Sequence, residues 1–206
     1  MLKFLSIAFT QKSDPSDQNF ITIVSGLPRS GTSMMMNMLE EGGMEIITDN
    51  IRIADDDNPK GYYEFERVKK LKDGDVEWLK DAHGKSVKII SALLENLPDL
   101  YSYKIIFMCR NMDEILASQK QMLVRRGEPT DKVNDRTLAE LFEKHIEHIE
   151  AWLKMQENIK TIFVDYNQLI FDPQRLTTKI IQFLEETLNQ QKMVDIVDRK
   201  LYRQRH

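Results

Sequence analysis

Little in this sequence of 206 residues points to exotic chemistry, and each shortage narrows the field. There is one cysteine, Cys109, so neither an intramolecular disulfide framework nor a cysteine-based zinc cluster can be built. That favours a reducing compartment. No run approaches the roughly 20 apolar residues of a membrane span. After Lys3 the N-terminal run Phe4-Leu5-Ser6-Ile7-Ala8-Phe9 has about six residues, short of the roughly 7–15 apolar residues of a signal peptide core. A cytoplasmic protein with no membrane partner is expected. Charge of one sign is also scarce: the formal net charge is −4, which argues against a general nucleic-acid binder. The unevenness is local, with an acidic run at Asp55, Asp56 and Asp57 and a basic tail holding Arg199, Lys200, Arg203 and Arg205. No repeat or low-complexity tract divides the chain. One domain is expected over 1–206, with 1–18 as lead-in and 199–206 as basic tail.

What is present is a recurring unit: a β-branched run, a turn, then a helical pattern. The runs are Phe20–Val24, Val87–Ile90, Lys104–Cys109 and Thr161–Val164. Continuous apolar strands alternating with helices predict a parallel sheet covered on both faces, a doubly wound α/β layer structure. Helix starts are marked by Asn111 followed by Glu114, by Thr137 followed by Glu140, and by Asp172-Pro173. The stripe Leu138, Leu141, Phe142, Ile149 and Trp152 predicts one buried helix face. Leu176, Ile180, Phe183, Leu184 and Leu188 predict another. Met34, Met35, Met36 and Met38 read as packing, and His145 as a core histidine.

The informative segment is Ile21 to Met36, ITIVSGLPRSGTSMMM. A buried strand enters a Gly-rich turn, and the turn enters a helix. That arrangement aims successive N–H groups and the positive helix end at one point, an anion site. The spacing of Gly26 and Gly31 fits the P-loop pattern G-x-x-x-x-G-K-[ST], with Ser33 in its last place. Where that pattern has lysine, this chain has Thr32. The loop's cation is Arg29, and a transferred group of low charge can be held there without a metal. A second segment, Ile105 to Met122, places Arg110 at a strand's carboxyl end, where open α/β sheets hold ligands. Ser118 follows about two turns into the next helix, roughly 10 Å along its axis, where both groups can reach one phosphate.

The Pro28-Arg29-Ser30-Gly31-Thr32-Ser33 loop resembles the 5′-phosphosulfate loop of sulfotransferases, and Arg110 with Ser118 resembles their 3′-phosphate pair. Phe163 to Leu184 resembles a further, structural pattern of that family. The resemblance implies a P-loop NTPase-like sulfotransferase fold and 3′-phosphoadenosine-5′-phosphosulfate (PAPS) as sulfonate donor, with no metal. It implies that Arg29, Ser30, Gly31, Thr32 and Ser33 hold the phosphosulfate and that Arg110 and Ser118 hold the 3′-phosphate. Lys88 corresponds to a family lysine near the sulfonate. The family's histidine base falls on Ile90, so a carboxylate is expected instead. Asp49 lies where tyrosylprotein sulfotransferases have a glutamate. Glu64 lies in Asn58-Pro59-Lys60-Gly61-Tyr62-Tyr63-Glu64, a stretch similar to one in bacterial sulfotransferase-domain proteins. A carboxyl group among aromatic rings is suited to act as a base. The acceptor is expected to be a small molecule or glycan presenting a hydroxyl or amine. The alternatives are a P-loop kinase and a non-catalytic nucleotide-binding module.

Overall fold

The computed structural model describes residues 20–49, 51, 61–130 and 133–197. The lead-in 1–18, the acidic run Asp55–Asp57, the stretch Asn58-Pro59-Lys60 and the basic tail 199–206 lie outside the described residues.

Among the described residues five strands form one sheet in the order β2-β3-β1-β4-β5. They are β1 (Phe20–Gly26), β2 (Glu45–Ile47), β3 (Lys85–Lys88), β4 (Ser102–Cys109) and β5 (Ile159–Asp165). Every pairing is parallel, with Ile23 opposite Val87 on one side and Ile105 on the other. All seven residues of β1 are buried. The continuous apolar run therefore means what a run without alternation should mean, a strand covered on both faces.

The two faces sort the side chains by parity. Val24, Ile106, Met108 and Val164 pack against α1 (Thr32–Glu41), α4 (Tyr166–Phe171), α5 (Pro173–Leu184) and α6 (Gln190–Asp195). Ile21, Ile23, Val87, Ile105 and Phe107 pack against Trp78, Leu79, Leu94, Ile149 and Leu153. Those last side chains come from 3-10 helices at Glu77–Asp81 and Ser91–Asn96 and from α3 (Asp135–Met155), and Val68 and Leu71 of a further 3-10 helix, Glu66–Asp73, join the same cluster. Met35, Met36 and Met38 are fully buried, and each such side chain contributes roughly 1.5–3 kcal/mol.

Three local expectations need correction. β3 ends at Lys88, and Ile90 is 45% exposed: the chain turns into a 3-10 helix there instead of extending the strand. Helix α3 begins at Asp135, because Asn134 is the N-cap and accepts from the Thr137 N–H at 2.8 Å. The predicted stripe on α3 is buried only in its second half. Ile149 and Leu153 enter the core, whereas Leu141 is 55% exposed. Strand β2 has three residues and sits at the sheet edge, too short to give an apolar run.

β1 lies at the sheet's centre. The chain goes from it to β2 and β3 on one side and then crosses to β4 on the other. The carboxyl ends of β1 and β4 thus flank the switch point where such sheets bind ligands.

Candidate active site

The loop between β1 and α1 is fixed by three unusual backbone positions. Gly26, Arg29 and Gly31 have φ of 144°, 71° and 101°. Pro28 followed by a positive φ at Arg29, with Ser30 N–H donating to Leu27 carbonyl at 3.2 Å, makes a type II turn. Arginine where that turn favours glycine is strained by about 1–3 kcal/mol, a cost usually met at functional sites. A side chain on Gly26 would collide with the Met108 carbonyl and with Ser30 Oγ, both at 2.6 Å. The loop is therefore seated directly on the end of β4.

Gly31 is the N-cap of α1, and no side chain caps that helix. Its first N–H groups point out of the loop with the positive end of the helix dipole. Ser30 is 1% exposed, and its Oγ is buried without a hydrogen-bond partner. Ser33 Oγ donates to the Tyr62 carbonyl at 3.5 Å.

Arg29 turns away from the loop toward α2 (Met112–Arg125), where its Nε donates to Ser118 Oγ at 2.9 Å. Arg110, the first residue after β4, donates from Nη1 to the Arg29 carbonyl at 3.0 Å. Its guanidinium carbon sits 4.4 Å over the Tyr166 ring. The structure thus brings Arg29, Arg110 and Ser118 into one cluster. The hydroxyl's bond is to Arg29, whereas the spacing alone pairs it with Arg110.

Two residues of this cluster escaped the sequence reading. Glu114 is 3% exposed and accepts from Arg110 Nε at 2.8 Å and from Asn167 Nδ2 at 2.8 Å. It is not a capping-box partner: the carboxylate turns inward, and Asn111 alone caps α2 through the N–H groups of Asp113 and Glu114. The only signal for it was the four-residue spacing from Arg110. Tyr166, the first residue of α4, fills the space over Gly31, and burial pushes its phenol pKa up against the pull of Arg110. In the sequence Tyr166 lies within Phe163 to Leu184, a stretch read only as a structural pattern.

On the other side of the loop, Lys88 Nζ donates to the Tyr62 carbonyl and lies 3.9 Å from Glu64 Oε1. Ser33, Tyr62, Lys88 and Glu64 therefore form a connected chain running outward from the N-terminus of α1. Asp49 is engaged elsewhere. Its Oδ2 accepts from the Glu66 N–H at 2.6 Å and its Oδ1 from the Ile51 N–H at 3.1 Å. That carboxylate caps the Glu66–Asp73 helix, while Glu64 faces the lysine.

Other titratable groups stand apart. Burial pushes the Cys109 thiol up to about 12, so it stays protonated near neutral pH. His145 shares a 2.9 Å hydrogen bond with Ser91 Oγ, and His148 pairs with Glu95 at 2.9 Å. Among the described residues no three His, Cys, Asp or Glu side chains are grouped to hold a metal ion.

The loop from β1 into α1 thus sits at the centre of a parallel sheet, with a cationic cluster at the end of the neighbouring strand β4. The family model described as the sulfotransferase domain matches residues 21–204. The chain belongs to the sulfotransferase domain family. Among curated proteins it is similar to sulfotransferase 1E1 of Rattus norvegicus, 28% identical over 93 residues, 40% of this chain and 30% of that protein. Sulfotransferase 1E1 of Mus musculus matches at 27% over 92 residues, with the same coverage. The matched stretch spans under a third of each curated relative's length. Among solved structures, the sulfotransferase domain from the curacin biosynthetic pathway superposes with a TM-score of 0.51. It is 13% identical, over 87% of this chain and 78% of that one, a likeness of fold. Mouse sulfotransferase SULT7A1, solved in complex with PAP, gives 0.48 at 19% identity, over 87% of this chain and 63% of that one. No described helix of this sulfotransferase domain is long and apolar enough to cross a membrane.

Proposed function

We propose that this chain is a single-domain, cytoplasmic, metal-independent sulfotransferase. It moves a sulfonate from PAPS to a hydroxyl or amine of a small-molecule or glycan acceptor. The observation that carries the reading is the pair of anion-seeking sites joined through Arg29: its carbonyl is held by Arg110 and its side chain by Ser118.

The residues fit the donor. The uncapped α1 N-terminus and the buried, partnerless Ser30 Oγ suit a phosphosulfate. Arg110 and Ser118, one loop away, suit a second phosphate. PAPS supplies a sulfonate already activated on a bridging oxygen. Gly31, Thr32 and Ser33 orient the phosphosulfate through their N–H groups, and Ser30 supplies a hydroxyl. Arg29, bonded to Ser118 in the ligand-free protein, would swing back over the loop when the 3′-phosphate takes that hydroxyl, and would offset charge developing on the leaving oxygen, where charge grows in the transition state. Lys88 lies 9% exposed between the Tyr62 carbonyl and Glu64, and its ammonium would offset charge on the sulfonate oxygens. Glu64 takes the acceptor proton, and its position beside Lys88 favours it over the capping Asp49.

The test is binding followed by turnover. Thermal stabilisation by 3′-phosphoadenosine-5′-phosphate should exceed that by 5′-AMP or ATP and persist in EDTA. Labelled PAPS should transfer its sulfonate to members of an acceptor pool. Equal stabilisation by ATP, or binding that requires Mg²⁺, would replace this reading with the kinase. Tight bisphosphate binding with no transfer across a broad pool would favour the non-catalytic module, in keeping with Ile90 at the family's histidine position.

A further inference from the structure

Beside the anion-seeking arginine sits a carboxylate that an anion site does not call for. Glu114 is nearly inaccessible at 3%, and the Arg110 side chain it meets is only 8% exposed. Both carboxylate oxygens are engaged, one by Arg110 Nε and the other by Asn167 Nδ2, each at 2.8 Å. Asn167 follows Tyr166 on α4, so the helix that supports the guanidinium plane also tethers the carboxylate. The carboxylate cannot leave the arginine without also breaking a bond to a different element.

A guanidinium at that depth needs a counter-charge, because a buried ion stripped of its partner is far costlier than a buried pair. We propose that Glu114 is a resident counter-ion for Arg110, taking in the ligand-free protein the electrostatic place that the donor's 3′-phosphate takes in the complex. The inference rests on the reading that Arg110 meets that phosphate. The nucleotide then binds an arginine that is already neutralised. Affinity for the 3′-phosphate is tempered, and the spent bisphosphate is released more readily than a bare arginine would allow.

The consequence is a pair of effects with opposite signs. Without the charge of Glu114, the ligand-free protein retains an uncompensated buried cation and is less stable. In the complex the phosphate supplies the missing charge, so the complex loses less. A ligand gains from any difference between the two states, so binding tightens while stability falls. A residue that only held Arg110 in position would lower both.

The experiment uses the full chain carrying Glu114→Gln, which preserves shape and removes charge. Calorimetry with 3′-phosphoadenosine-5′-phosphate at low salt should give binding tighter by about tenfold, the scale of one charge-assisted contact. 5′-AMP, which lacks the 3′-phosphate, should bind within about twofold of wild type, and the ligand-free melting temperature should drop. If Glu114→Gln does not accumulate folded, Glu114→Asp draws the charge back by one methylene and should tighten bisphosphate binding in the same direction, by less. Unchanged or weakened bisphosphate binding in the folded variant overturns the counter-ion role. The wild-type protein separates the two levels. If it does not prefer the bisphosphate over 5′-AMP, the assignment of Arg110 itself has failed. If it does, the sign of the change at Glu114 decides the inference alone.

Discussion

A methyl group on Gly31 would stand 2.4 Å from Cδ2 of Tyr166. The loop that opens α1 and the helix that follows β5 are thus in contact across the mouth of the site, and only a glycine permits it. Gly43 has nearly the same φ, 104° against 101°, with nothing within 4 Å of the position its Cβ would take. Alanine at Gly43 incurs only the strain of a left-handed residue, of order 1–3 kcal/mol. Alanine at Gly31 incurs that strain and an overpacking term of roughly 1–3 kcal/mol more. Chemical denaturation should find Gly31→Ala the less stable variant by about that margin. Equal losses would mean that Tyr166 moves aside without cost.

Arg110 should carry nucleotide choice. A hydrogen bond to a charged group contributes about 1.5–3 kcal/mol, so Arg110→Ala should weaken 3′-phosphoadenosine-5′-phosphate by about ten- to a hundredfold. Binding of 5′-AMP should change little. Calorimetric titration of both ligands measures the ratio, and a parallel loss for the two would detach Arg110 from the 3′-phosphate.

The two carboxylates should separate cleanly. Glu64→Gln should cut turnover at least a hundredfold, within the roughly 10²–10⁴-fold range of general-base catalysis, and leave bisphosphate affinity within about twofold. Asp49→Asn should do the reverse. Its carboxylate holds the Glu66 and Ile51 N–H groups, so the variant should lose stability, about 1 kcal/mol for a weakened cap, and keep its turnover. Turnover that depends on Asp49 and not on Glu64 would exchange their roles.

His145 gives the fold a sensitivity to acid. Burial, and then the neighbouring His148, hold its pKa below the usual value of 6.5, against an opposing pull from Glu95. The proton therefore prefers the unfolded chain. Near pH 7.5 both states are neutral at this residue, and it contributes no pH dependence. As pH falls through about 6.5 and on through the lower folded value, the unfolded state takes up the proton first and stability declines. Urea midpoints at pH 7.5 and 5.5 should differ less in His145→Gln than in wild type. An unaltered pH profile would remove His145 from the account.

The parts legible in the sequence were those specified locally. A continuous apolar run marked β1, and the Pro-Arg pair between two glycines marked the turn from β1 into α1. Asn111 and Asp172 marked the starts of α2 and α5, and both side chains do cap them. What escaped depends on partners far along the chain. β2 is three residues long and exists because β3 pairs with it. Glu114 fits a capping box equally well by sequence, but its two oxygens are taken by Arg110 and by Asn167, which arrives from α4. The pairing of Ser118 with Arg29 across 89 positions could not be read from helical spacing, which relates Ser118 to Arg110 alone.

The central position of β1 has a consequence for assembly. It is the earliest strand among the described residues, yet its neighbours arrive late: Thr22 pairs with Ser86, and Phe20 with Ser102. Closing chain segments of that length precedes any ladder bond, so contacts of this kind slow folding. During synthesis the loop between β1 and α1 emerges before its seat, since the Met108 carbonyl against Gly26 and the Tyr166 ring against Gly31 are made later. A chain interrupted before β5 would present an unfinished loop and an unpaired β4 edge, the exposed kind on which aggregation begins.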